Sequence, residues 1–132
     1  MTRYRILALV AAAALCAAAT VPITGPASAQ DRYGSIVFSQ EYGGGYAWGM
    51  AWSYDSRSSA RNTAINECRS QGGSSCGEIA WFRNACGALV IGDNNGYGVG
   101  WAESLRDAEI IAMNECRSVN YNCYHAASRC SY

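Results

Sequence analysis

The sequence predicts an α+β fold in which one β-β-α-β unit is used twice and stapled by disulfides into a small domain. Three observations carry that expectation. The pentapeptide N-E-C-R-S stands at residues 66–70 and again at residues 114–118. Ahead of each copy, small apolar residues recur every four positions, as Ala60, Ala64, Cys68 and as Ala108, Ala112, Cys116, the spacing of one helical face. Beyond residue 29 the chain holds six cysteines, an even number in a short chain.

From the N-terminus, the chain opens Met1-Thr-Arg-Tyr-Arg5, and residues 6–19 then run without interruption through Ala, Leu, Ile, Val and one Cys. Pro22, Gly25 and Pro26 precede the triplet Ala27-Ser28-Ala29. A basic start, a short apolar run and small residues at the exit describe a secretory signal peptide over residues 1–29, cleaved after Ala29. The run falls short of the roughly twenty residues that span a bilayer, so no membrane span is expected after cleavage. Cys16, inside the apolar run and behind Leu15, reads as hydrophobic filler. What remains, residues 30–132, has the size of one domain. A core that small is marginal without staples, which gives the six cysteines their purpose in an exported protein.

Within that domain the repeats run over about residues 33–86 and 87–132. Residues 34–39 and 88–91 are short apolar strands, followed by the turn signals Tyr42-Gly-Gly-Gly45 and Asp93-Asn-Asn-Gly96. Returning strands at 46–52 and 97–101 alternate large rings with Gly or Ala, and Trp52 aligns with Trp101. Ser56 and Ser104 are placed as helix N-caps, with Asp107 three residues after Ser104 as in a capping box. Each helix ends in N-E-C-R-S. Its cysteine lies on the buried face, its arginine (Arg69, Arg117) complements the helix dipole, and its glutamate (Glu67, Glu115) points to solvent. Third strands follow at 78–84 and 124–129. The duplication pairs Cys68 with Cys76 and Cys116 with Cys123, each tying a helix end to the next strand. Cys86 and Cys130, read as equivalent ends of the third strands, then bridge the two halves.

Charge excludes some partners. All ten basic residues are arginine, and removing Arg3 and Arg5 leaves eight against ten acids, a formal net of −2. Nucleic acid requires a basic footprint that this composition does not supply. No metal is expected, because there is no C-x-x-C and His125 is the single histidine. No cofactor motif is present either: the glycines at 43–45 and 96–100 lack a G-K-[ST] ending. Paired cysteines leave no thiol nucleophile, and no serine sits in a G-x-S-x-G elbow. The expectation is therefore no catalytic residue and no enzyme. The most suggestive surface is aromatic. Tyr46, Trp48 and Trp52 in one hairpin, with Tyr97 and Trp101 in the other, divide between core filling and an exposed platform for a partner.

At the junction of the copies stands Trp81-Phe-Arg-Asn-Ala-Cys-Gly-Ala-Leu89, after a G-x-I-x-x-S opening at 34–39 and a Trp before a Cys-ended helix. These stretches resemble a family of small secreted bacterial proteins, common in actinobacteria including mycobacteria, known only as domain of unknown function 4189 (DUF4189). The resemblance covers nearly all of residues 30–132 and departs at the last strand, which carries His125 and Arg129. It implies the same fold and an extracellular address, and it supplies no catalytic residues. Some relatives are regarded as secreted effectors, which implies a protein partner. The leading functional expectation is thus a secreted, non-enzymatic interaction domain that binds a protein in the envelope or a host. The alternative is a cell-wall carbohydrate-binding module using Trp48, Trp52 or Trp101. A third, weaker reading is a small hydrolase using His125 with Glu67 or Glu115.

Overall fold

A computed structural model describes residue 25 and residues 29–132; apart from Gly25 and Ala29, the expected signal peptide lies outside the described residues. The order is β1 (Tyr33–Gln40), β2 (Tyr46–Tyr54), α1 (Arg57–Ser70), β3 (Gly77–Arg83), β4 (Cys86–Ile91), β5 (Tyr97–Ala102), α2 (Leu105–Val119) and β6 (Tyr124–Cys130), with a single 3-10 turn at Asp93–Asn95. This is the expected duplicated α+β arrangement. Each half forms a three-stranded antiparallel sheet, β2-β1-β3 in the first and β5-β4-β6 in the second.

The four layers follow from alternation along the central strands. On β1, Ile36 and Phe38 point to one side and join Met50, Phe82, Leu89, Ile91 and Ala127 in a core between the sheets. Val37 points to the other side, against Ala47, Ala51, Ala60, Ala64 and Cys68 under α1. The second half repeats this, with Ala88 and Val90 packed on Ala108, Ala112 and Cys116. The order is helix, sheet, sheet, helix. Across the middle, β1 touches β4, β2 touches β6 and β3 touches β5. Exchanging the halves maps these contacts onto one another, so the halves are related by an approximate two-fold axis.

Small residues on the helix-facing side let the helices lie close. A Cβ at Gly49 would fall 2.0 Å from the Ala64 carbonyl oxygen, and one at Gly98 would fall 2.2 Å from that of Ala112. Both helices start as expected: Ser56 Oγ accepts from the Ser59 N–H, and Ser104 Oγ accepts from the Asp107 N–H while donating to its carboxylate.

Among the described residues the three disulfides are Cys68–Cys76, Cys116–Cys123 and Cys86–Cys130. The pairing is as expected, but one consequence is corrected. Cys86 opens β4, directly opposite Cys130 on β6, so this bond closes the second sheet and does not bridge the halves. The matching positions in the first sheet are Tyr33 and Arg83, which carry no staple.

Candidate functional site

The doubled pentapeptide resolves into scaffold. Glu67 and Glu115 were expected in solvent; Glu115 is exposed and Glu67 half-buried, and each also binds a strand, Glu67 Oε2 accepting the Met50 N–H at 3.0 Å and Glu115 Oε2 accepting the Val99 N–H at 3.2 Å. Met50 and Val99 lie on β2 and β5, the edge strands under each helix, so each carboxylate satisfies a donor that the sheet leaves open. Ser70 and Ser118 donate to the carbonyls of Glu67 and Glu115, both at 2.7 Å. The reason sequence reasoning missed this is geometric: the contact joins a helix to a strand that only the close helix–sheet approach brings within reach.

His125 meets Glu109 and Ser128, not Glu67 or Glu115. Ser128 Oγ donates to Glu109 Oε1 at 2.6 Å, and His125 Nε2 lies 3.0 Å from that hydroxyl and 3.5 Å from the carboxylate. In a Ser-His-acid triad the serine proton points at the imidazole and the acid holds the far ring nitrogen. Here the serine proton points at the acid, and Ser128 is buried. The cluster ties β6 to α2 and has the wiring of a structural contact.

The five hairpin aromatics separate. Tyr46 and Tyr97 gather around Phe38, with centroid distances of 5.9 and 4.7 Å, and the Tyr46 hydroxyl bonds that of Tyr124. That bond, with partial burial, pushes the Tyr124 phenol up to about 12. In the turn of the same hairpin, hydrogen bonds from Ser39 and then Ser74 hold the Glu41 carboxyl below its ordinary range. Trp48 is half-buried against the inter-sheet core. Trp52 and Trp101, equivalent in the two halves, lie on opposite flanks.

Trp101 lines a wide concavity among the described residues. A groove of about 580 Å³ runs between β5, β3 and α2, walled by Trp81, Trp101, Ile79, Val99 and Ile111, with Glu115 beside them. It continues into a space of about 330 Å³ against Phe82 and Arg83, between the same two tryptophans. Trp81 is 41% exposed and Trp101 is 63% exposed, so both rings face water. The groove's mate across the two-fold axis is lined by Met50, Trp52, Thr63 and Glu67 and holds only about 240 Å³.

One substitution separates the flanks. On β3, Phe82 stands opposite Gly34, and on β6 the matching residue, Arg129, stands opposite Gly87. Phe82 turns inward across the approximate axis, so close to both glycines that a Cβ would fall 2.1 Å from its ring at Gly34 and 2.3 Å at Gly87. Arg129 turns outward and lays its guanidinium over Trp52, 5.0 Å from the ring centroid. Trp81 and Ile111 were absent from the expected platform. Trp81 comes from the other half of the chain, which no local pattern announces. Ile111 was legible, since its counterpart in the first helix is Thr63 and an isoleucine off the Ala-Ala-Cys face has no core to fill.

Among the described residues, no cluster of three or more His, Cys, Asp or Glu is arranged to hold a metal, and no helix is long and apolar enough to cross a membrane. Residues 33–130 match a family model described as a domain of unknown function, DUF4189. No curated protein and no solved structure matches the chain.

Proposed function

We propose that the chain, which belongs to the DUF4189 family, is a non-enzymatic interaction domain that binds a protein partner through the Trp81–Trp101 groove. It acts outside the cell, after export and cleavage behind Ala29, in the envelope or on a host. The observation that carries the reading is two exposed tryptophans facing one groove with Ile79, Val99 and Ile111. Large rings and branched aliphatics around a concavity suit a protein side chain that brings apolar surface with it, because Trp anchors dominate such contacts. A glycan site would need several fixed polar partners for hydroxyls around the rings. The larger space offers one charged group, Glu115, already bonded to the Val99 N–H.

Selection from a displayed random-peptide library against the oxidised protein tests this. Binders are expected to emerge and to lose at least about tenfold in affinity on Trp101→Ala, the usual scale for a tryptophan anchor. A selection that yields only binders indifferent to both Trp81→Ala and Trp101→Ala would remove the groove from consideration. Cell-wall glycan fragments that bind where no peptide does would transfer the site to the carbohydrate reading.

A further inference from the structure

The three exposed tryptophans are not equally dressed. Trp81 carries the Arg57 guanidinium 4.5 Å from its ring centroid, and Trp52 carries that of Arg129 at 5.0 Å. Trp101 is the most exposed of them, and among the described residues no cation lies over its ring. Two features of its surroundings reproduce those of Trp52 across the approximate two-fold axis. Each ring projects from the edge strand of its sheet, and each has the pentapeptide glutamate beside it, bonded through Oε2 to the edge N–H two residues before the tryptophan. The residue that would have covered Trp101 is the one at the Arg129 position of the other half. That residue is Phe82, buried over Gly34 and Gly87.

We propose that the groove takes an arginine side chain of the partner, its guanidinium stacked on Trp101 and paired with Glu115 as Arg129 stacks on Trp52 within the chain. The proposal rests on the groove being a protein-binding site and names the anchor it accepts. Charge complementarity supports it. Glu115 makes one hydrogen bond through one oxygen, and among the described residues it forms no ion pair, while a carboxylate has room for several donors. A planar guanidinium satisfies both neighbours at once, since it stacks on aromatic faces and donates in its own plane. The methylenes of the arginine then lie along Val99, Ile79 and Ile111, which accounts for an apolar groove with one carboxylate at its side.

N-acetyl-arginine amide is the probe, and the four indole N–H signals in a heteronuclear NMR spectrum are the readout. The Trp101 signal is expected to shift with a dissociation constant in the millimolar range, as befits a single side chain. Replacing the probe by the uncharged isostere N-acetyl-citrulline amide should abolish the shift, and Glu115→Gln should weaken binding several-fold while Glu67→Gln leaves it unchanged. Arg129→Gln should uncover Trp52 and make its indole a second responder to the same probe. Equal response to arginine and citrulline, or no gain at Trp52 on Arg129→Gln, overturns the cation assignment. Two results distinguish this inference from the reading beneath it. If N-acetyl-leucine amide moves the Trp101 signal and the arginine probe does not, the groove stands and the guanidinium falls. If neither moves it, both fall.

Discussion

The two halves share a scaffold almost residue for residue, yet only the second presents apolar side chains to solvent on its helix. Where α1 has Arg57, Asn62 and Thr63, α2 has Leu105, Ile110 and Ile111, each at least 40% exposed. The first half shows that this unit folds with polar residues at those positions. The isoleucines of the second half are therefore not a requirement of the fold, and stability gives no reason for them. The same logic covers the third strand, where Arg129 shields Trp52 on one flank while Phe82 leaves Trp101 open on the other. Duplication supplied an internal control: the features held in common belong to the architecture, and the features that differ mark the candidate binding side.

The largest expected break in this comparison is covalent. The Cys86–Cys130 bond spans 44 residues, and the two helix-end bonds span 8 and 7. In the chain-entropy model the long closure contributes about 4 kcal/mol and each short one about 2.5 kcal/mol. Paired alanine replacements compared by urea unfolding should follow that order. A double variant at 86 and 130 no weaker than the one at 116 and 123 would show that the extra staple contributes no more than a helix-end bond.

Next in size are the helix-facing glycines, for which the halves should respond alike. Gly49→Ala and Gly98→Ala each drive a methyl into a helix carbonyl and should each cost at least about 3 kcal/mol, at the upper end of overpacking. A tolerated Gly98→Ala beside a damaging Gly49→Ala would mean that α2 can lift from its sheet, and the two-fold equivalence would fail. The smallest effect on stability is the sharpest for function. Ile110→Asn with Ile111→Thr gives α2 the residues of α1. It should change stability by no more than about 0.5 kcal/mol, as exposed substitutions do. Peptide binding at the groove should drop nonetheless, and unchanged affinity would detach the isoleucines from the site.

Much of this scaffold was legible in the chain because its signals are local. A four-residue recurrence of Ala, Ala and Cys defines each helix face, Ser56 and Ser104 mark the starts, and glycine-rich turns mark the hairpins. The disulfide partners followed from aligning the copies. What escaped depends on distant approach. The bonds from Glu67 to Met50 and from Glu115 to Val99 need the helix laid on its sheet. The groove needs Trp81 from one half beside Trp101 from the other. Cys86 was read as a strand end because its spacing from Cys76 resembled that of Cys130 from Cys123, whereas pairing shows it beginning β4.

Asn84 and Ala85 are all that separates β3 from β4, and with that the first half from the second. Each half folded alone would expose one wall of the inter-sheet core, Ile36, Phe38 and Met50 on one side and Leu89 and Ile91 on the other. Two residues of tether turn the meeting of those walls from a bimolecular encounter into an intramolecular one, at an effective concentration that short linkers place in the millimolar range. The molecule is in that sense a dimer that cannot be diluted apart. Its two flanks were free to diverge because neither half can exchange its partner for an identical copy.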